Sequence, residues 1–376
     1  MNKAQQHSTR AIVNLKTSHT SQTSVHSINA FADQGYLNTE DCPQLEQVAE
    51  RFSVAITPQM LDLIDPANPN DPIAKQFVPN VLELQNHNDE LRDPIGDTQH
   101  SPVTGIVHRY PDRLLLTPVR VCPVYCRFCF RREHVGNNAD AMLSSDELQA
   151  ALNYIREHDE VWEVILSGGD PLLMSPRRLQ EIVTALENIR HVKVIRIHTR
   201  VPVVDPTRIS RQLIKVLKCS KAVYVVLHSN HPNELSANAQ KACAMLVENG
   251  IPMLSQTVLL KGINDNPVTL EALMRTLVEN RIKPYYLHHA DRARGTSHFR
   301  TTIKEGQELL RELHGKVSGL CQPEYVLDIP GGAGKVPIGP NWLTANNDNG
   351  YTATDYNGCQ HDYKDQYTDT CKTTLD

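Results

Sequence analysis

The chain has 376 residues, enough to bury a large core. Its 40% hydrophobic content and mean hydropathy of -0.40 are values of a globular protein, not of a disordered or membrane-embedded one. Thirty-eight basic residues against 43 acidic ones give a net charge of -5 and no broad positive footprint, so nucleic acid is not an expected partner. No run reaches the ~18 consecutive apolar residues of a membrane span, so no membrane association is expected either.

Residues 1–30 contain no Asp or Glu and only three basic residues, Lys3, Arg10 and Lys16, and read as a mobile arm. They lack the basic and apolar regions of a secretory signal. Nine cysteines, an odd number, also suit a disulfide framework poorly, and together these features predict a reducing, cytoplasmic setting. Residues 31–100 read as a helical N-terminal region, with short helices and turns between Cys42 and Asn86.

From about Leu114 short β-rich runs alternate with helical patterns, as in βαβ units of a parallel sheet. The predicted strands are Leu114–Thr117, Val161–Leu166, Val192–Ile197, Ala222–Leu227, Met253–Val258 and Pro284–His288, short and mostly apolar as doubly covered strands are. Between them, Ser144 with Glu147 forms a capping box, Ser175-Pro176 starts a second helix, and Asn233–Asn249 forms a third that ends at Gly250. The expected fold is therefore α/β, an open (βα)6 partial TIM barrel spanning residues 101–340, with ligand chemistry at the carboxyl ends of its strands. Residues 341–376 form a polar, acidic tail: from Asn346 onward there are six Asp and two Lys, which predicts a loosely ordered segment or a subunit-contact arm.

The most informative stretch is Cys122-Pro-Val-Tyr-Cys126-Arg-Phe-Cys129, which follows the first predicted strand. Three thiolates in one loop can hold three irons of a [4Fe-4S] cluster and leave the fourth iron open to a non-protein ligand. A structural zinc would want a fourth protein ligand and usually a second knuckle; His108 or His134 could serve as the ligand, but there is no second knuckle. Ser167-Gly168-Gly169-Asp170 follows a strand, where two glycines admit a ligand close to the backbone and Asp170 can accept from an ammonium; a tight structural turn is the alternative. Gly331-Gly-Ala-Gly-Lys335 is not a phosphate loop, because Ile329 stands at the first glycine position and Val336 follows the lysine. A lysine beside glycines can instead present its amine to an aldehyde.

Four ordered words beyond the cysteines, Ser101–Arg113, Ser167–Leu172, Gln256–Gly262 and Asp328–Lys335, resemble the lysine 2,3-aminomutase family of radical S-adenosylmethionine enzymes, from about Asp93 to Asn341. The resemblance implies an isomerase with a barrel of the radical S-adenosylmethionine type. It would convert L-lysine to β-lysine by radical 1,2-amino migration, using a [4Fe-4S] cluster on Cys122, Cys126 and Cys129, S-adenosylmethionine and pyridoxal 5'-phosphate. It further implies that Ser167, Gly168, Gly169, Asp170 and His228 meet S-adenosylmethionine and that Lys335 forms the Schiff base with pyridoxal phosphate. Arg109, Arg113 and Gln256 would hold the phosphate, and Tyr110 would pack on the cofactor ring. Arg131, with Arg132 as its neighbouring alternative, would clamp the substrate carboxylate, and Asp291 and Asp328 would receive its side-chain ammonium. An electron donor such as flavodoxin or ferredoxin and a homo-oligomeric state are also implied.

The chain departs from the family in three places. Asn266 stands where the clostridial type carries a zinc-binding cysteine, and the tail offers only Cys359 and Cys371, so no structural zinc is expected. His288 replaces a family tyrosine. Rival readings are a relative that isomerises lysine for attachment to an elongation factor, an arginine 2,3-aminomutase, and a non-catalytic iron-sulfur or zinc-binding module.

Overall fold

The computed structural model describes residues 23–37, 39–136, 141–346 and 350–364. Most of the predicted arm and the far end of the tail, including Cys371, lie outside these residues. The N-terminal region holds the short helices α1 (Ile28–Asp33), α2 (Cys42–Arg51), α3 (Pro58–Leu61) and α4 (Pro72–Phe77). Their apolar faces, including Phe31, Val48, Met60 and Phe77, join the same hydrophobic core as the sheet, as does Ile56 between α2 and α3. Residues 31–100 therefore have no separate interior, and they form a wall of the main one.

A nine-stranded sheet follows in sequence order. Strands β1 (Ile106–Tyr110) and β2 (Arg113–Val119) make an antiparallel hairpin. From β2 the chain runs parallel through β3 (Glu163–Gly168), β4 (Val194–Thr199), β5 (Ala222–His228), β6 (Met253–Leu259), β7 (Ile282–His289) and β8 (Glu324–Asp328). The antiparallel strand β9 (Lys335–Pro337) then closes on β8.

The six predicted strands are β2 to β7. The sequence reading missed β8, a seventh parallel strand, because Glu324–Asp328 is short and carries a charge at each end. The result is a curled half-barrel sheet with helices outside, the partial TIM barrel expected. β1 and β9 remain its free edges.

The outer helices begin where side-chain acceptors meet unpaired amides. Ser144 and Glu147 form a reciprocal capping box on α5 (Ser145–Glu157), and Ser175 caps α6 (Pro176–Glu187) with proline at its first position. After α7 (Val201–Val204), Ser210 caps α8 (Arg211–Leu217) and Ser236 caps α9 (Ala237–Glu248), which begins four residues later than predicted because Pro232–Glu234 forms its own 3-10 turn. Asn266 caps α10 (Pro267–Glu279), and a Thr302–Glu305 capping box starts α11 (Ile303–Leu313).

The tail differs from the loose segment expected. β10 (Leu343–Ala345), β11 (Tyr351–Thr354) and β12 (Gln360–Tyr363) pair into a small antiparallel sheet. Tyr351, Thr352 and Thr354 supply the β preference that overall polarity had obscured. No helix among the described residues is long and apolar enough to cross a membrane.

Candidate active site

Alternate residues of each barrel strand face inward and line one cavity of about 950 Å³. From β4 come Arg196 and His198, from β5 Tyr224 and His228, from β6 Leu254 and Gln256, and from β8 Glu324, Val326 and Asp328. The sequence-expected residues Cys122, Cys126, Cys129, Arg109, Tyr110, Arg113, Arg131, Ser167, Gly168, Gly169, Asp170, His228, Gln256, Asp291, Asp328 and Lys335 all border it. Long-range hydrogen bonds decide how they are presented.

The cysteine loop is tied to the N-terminal region, with Tyr125 N donating to Ala55 O at 3.0 Å and Arg127 N to Gln76 O at 2.8 Å. Its stem is set by the two glycines after β3. Gly168 has φ +105, and a Cβ at Gly169 would stand 2.2 Å from Val121 O. The close approach is thus to the protein's own backbone, since Gly169 N donates to Val119 O at 2.6 Å and Asp170 N to Val121 O at 3.0 Å.

Asp170 likewise departs from the expected ammonium acceptor. Its Oδ1 takes Leu172 N at 3.0 Å and Thr199 Oγ1 at 2.7 Å, while its Oδ2 takes Arg200 N at 2.7 Å and Val201 N at 3.2 Å. A carboxylate so occupied ties the end of β3 to the end of β4 and leaves little acceptor capacity for a ligand.

Burial pushes the Cys122 thiol well up from its ordinary value, with Asp170, Cys129 and Cys126 adding to the rise. Burial and then Cys126 push Cys129 up to about 11. Neighbouring thiols of this kind ionise together only against added positive charge, which is what an iron cluster supplies. Among the described residues no group of three or more His, Cys, Asp or Glu side chains closes around a single ion. A cluster asks for wider spacing, because each thiolate meets a different iron.

The two candidate arginines separate clearly. Arg132 lies over the Phe52 ring at 3.6 Å, pairs with buried Glu83 and donates to Arg127 O at 2.8 Å, so it belongs to the frame and not to the cavity. Arg131 borders the cavity, with Nε 2.8 Å from Asp97 Oδ2 and Nη1 3.1 Å from Ser167 Oγ. Asp97 Oδ1 also accepts from Arg109 Nη2 at 3.2 Å, so one carboxylate orients two cavity cations. The sequence reading missed Asp97, because nothing local distinguishes it from any other loop Asp.

At the β8–β9 edge, Lys335 lies opposite Asp328 in register, with Nζ 2.5 Å from Asp328 Oδ1. Tyr110 accepts the Lys335 amide at 2.8 Å, and the Arg113 guanidinium covers the Tyr110 ring at 3.9 Å. The tyrosine therefore fixes the lysine's backbone. His288 Nδ1 stands 3.5 Å from Asp328 Oδ2.

Burial alone would raise the Asp328 carboxyl, but the His288 contact and the Lys335 ammonium hold it at about 2. Asp291 has the opposite balance, with burial and then the Asp328 charge pushing it up to about 7. Burial, followed by nearby cations, drives His198 and His228 well below the ordinary imidazole value, and the Nε2 atoms of both are buried without a partner. Free ring nitrogens bordering a large cavity indicate a site built to receive polar ligands.

Comparison with known proteins agrees with this geometry. A family model described as Radical SAM superfamily matches residues 116–273, and one described as Lysine-2,3-aminomutase matches residues 310–375. The chain is similar to L-lysine 2,3-aminomutase of Acetoanaerobium sticklandii, at 41% identity over 337 residues, covering 89% of this chain and 81% of that protein. It is also similar to L-lysine 2,3-aminomutase of Clostridium subterminale, at 42% identity, covering 82% and 74%. Glutamate 2,3-aminomutase of Clostridioides difficile is matched at 36% identity, covering 82% and 73%.

Proposed function

The chain belongs to the lysine 2,3-aminomutase family of radical S-adenosylmethionine enzymes, and on that premise we propose that it is an isomerase interconverting L-lysine and β-lysine (3,6-diaminohexanoate). The observation that carries the reading is the charge layout of the one cavity, with Arg131 on one element and the Asp291 and Asp328 carboxylates on others, all bordering it together with Lys335 and the three cysteines. A diamino acid has a carboxylate for the first and a side-chain ammonium for the pair. Two close carboxylates resist ionising together unless a cation joins them, and this favours a cationic side chain over that of glutamate.

Cys122, Cys126 and Cys129 would hold a [4Fe-4S] cluster, and Ser167, Gly168, Gly169, Asp170 and His228 would surround S-adenosylmethionine. Lys335 would bind the pyridoxal phosphate carbonyl, with Arg109, Arg113 and Gln256 about the phosphate and Tyr110 beneath the lysine's backbone. When bound, these groups supply a carbon-centred radical and a carbonyl that carries the migrating amine.

The protein's own part is to orient and to exclude water. Asp97 holds the Arg131 and Arg109 guanidinium groups, and Tyr110 anchors Lys335. Asp328 holds the Lys335 ammonium and, once that amine turns to the cofactor, is free for the substrate's ammonium. A one-electron donor of the flavodoxin or ferredoxin class and a homo-oligomeric state complete the reading.

Anaerobic turnover of lysine, arginine, ornithine and glutamate by the reconstituted protein, with chromatographic identification of products, tests it. β-Lysine from lysine is the expected result. Turnover of arginine alone would move the assignment to a guanidinium substrate, and turnover of glutamate alone would overturn the role of the two acids.

A further inference from the structure

Arg200 is the first residue after β4. Its amide is fixed on Asp170 at 2.7 Å, and its side chain runs to the cysteine loop, where Nη1 stands 2.9 Å from Cys126 Sγ. The Arg200 side chain is buried and its guanidinium is held from behind, with Nη2 2.5 Å from Glu234 Oε2 and 3.1 Å from Gln76 Oε1. Glu234 is fully buried and is itself fixed by Asn230 N at 2.8 Å and His231 N at 3.0 Å. The Phe77 and Phe128 rings lie 4.9 and 5.6 Å from the guanidinium carbon and keep water away.

We infer that Arg200 is a tuning residue for the iron cluster: a rigid, permanently charged donor to the Cys126 sulfur that raises the cluster's reduction potential. The inference rests on the cluster assignment made above. A guanidinium cannot lose its proton in a protein, so its charge is fixed. Glu234 and Gln76 occupy one arm of the fork and hold the other on sulfur, so the contact does not depend on a flexible side chain finding its partner. Reduction adds one electron from an external donor to the cluster and increases negative charge on its sulfurs, so a cationic hydrogen bond in a dry setting stabilises the reduced form more than the oxidised one. Asp170 contributes by placing the residue, since it holds both the Arg200 amide and the β3 loop that abuts the cysteine stem.

The test is a redox titration of the full-length, anaerobically reconstituted protein, read by the electron paramagnetic resonance signal of the reduced cluster. Wild type is compared with Arg200→Lys, Arg200→Gln and the pair Arg200→Gln/Glu234→Gln. The paired variant removes the buried ion pair as a unit, so folding survives even where the single change leaves Glu234 uncompensated. Iron content is measured alongside.

At a fixed potential the neutral variants should show a reduced-to-oxidised ratio about tenfold lower, about 59 mV for one electron, with iron content kept; Arg200→Lys should fall between. An unchanged midpoint in a cluster-bearing paired variant overturns the inference. So does an unchanged midpoint accompanied by a lower affinity for S-adenosylmethionine, since Arg200 would then be a ligand contact. Absence of any cluster signal in the wild type would instead sink the proposed function.

Discussion

Lys335 Nζ lies 2.5 Å from Asp328 Oδ1, and the two residues are register partners across the last strand pair of the sheet. The nucleophilic amine and an acid proposed to receive substrate therefore share one contact. Asp328→Asn should keep the fold, because His288 can still bond the amide. It should lower kcat/KM for lysine by about a hundredfold, the usual scale for truncating one partner of a buried charge pair. Lys335→Ala should abolish both turnover and the visible band of bound pyridoxal phosphate while leaving the cluster spectrum intact. Retention of that band would contradict the assignment.

Asp291, pushed up to about 7 by burial and the Asp328 charge, titrates in a usable range. A cationic substrate binds the ionised form, so lysine KM should rise as pH falls below about 7, and Asp291→Asn should flatten that limb. The stability effect has the opposite sign. A carboxyl whose folded value lies above its unfolded one favours the folded state at low pH and loses that contribution as pH rises through 4 to 7. The ligand-free Asp291→Asn protein should therefore gain melting temperature over wild type at pH 8 and little or nothing at pH 5.

The adjacent arginines should behave differently. Arg132→Ala removes one of the two arginines paired with buried Glu83, leaving Arg127 in place, and uncovers Phe52, so denaturant unfolding should register a loss of about 1.5–3 kcal/mol. Arg131→Ala should unfold nearly like wild type yet raise lysine KM at least about tenfold, the scale of a lost charged hydrogen bond. If the two variants lose equal stability, the division between frame and site is wrong.

Gly169→Ala probes the cysteine stem. With a Cβ required 2.2 Å from Val121 O, the Val119–Val121 backbone must move and carry Cys122 with it. Iron bound after reconstitution should fall severalfold, while circular dichroism and pyridoxal phosphate binding stay near wild type. Full iron content in this variant would show that the stem tolerates the shift.

Much of the site was legible without coordinates because its parts are local words. A cysteine triad at CxxxCxxC spacing, a Ser-Gly-Gly-Asp turn after a strand and a Gly-rich segment ending in Lys335 each carry their chemistry in a few adjacent residues. Short apolar runs alternating with helical patterns likewise marked six strands and predicted the curl. β8 escaped notice because five residues with charged ends give too little periodicity, and its strand character comes from its neighbours on either side.

The amino-acid order by itself determined which groups are present and which end of the barrel bears them, because strand alternation and the post-strand loops follow from local pattern. Only the folded chain decided how each group is employed. Asp97 serves two arginines, Asp170 is consumed by backbone amides, Arg132 is frame while Arg131 is site, and Arg200 reaches the Cys126 sulfur. Each of these outcomes depends on partners that lie 12 to 74 residues apart in the chain, and on burial that makes an unpaired charge too costly to leave, so no local window could contain it.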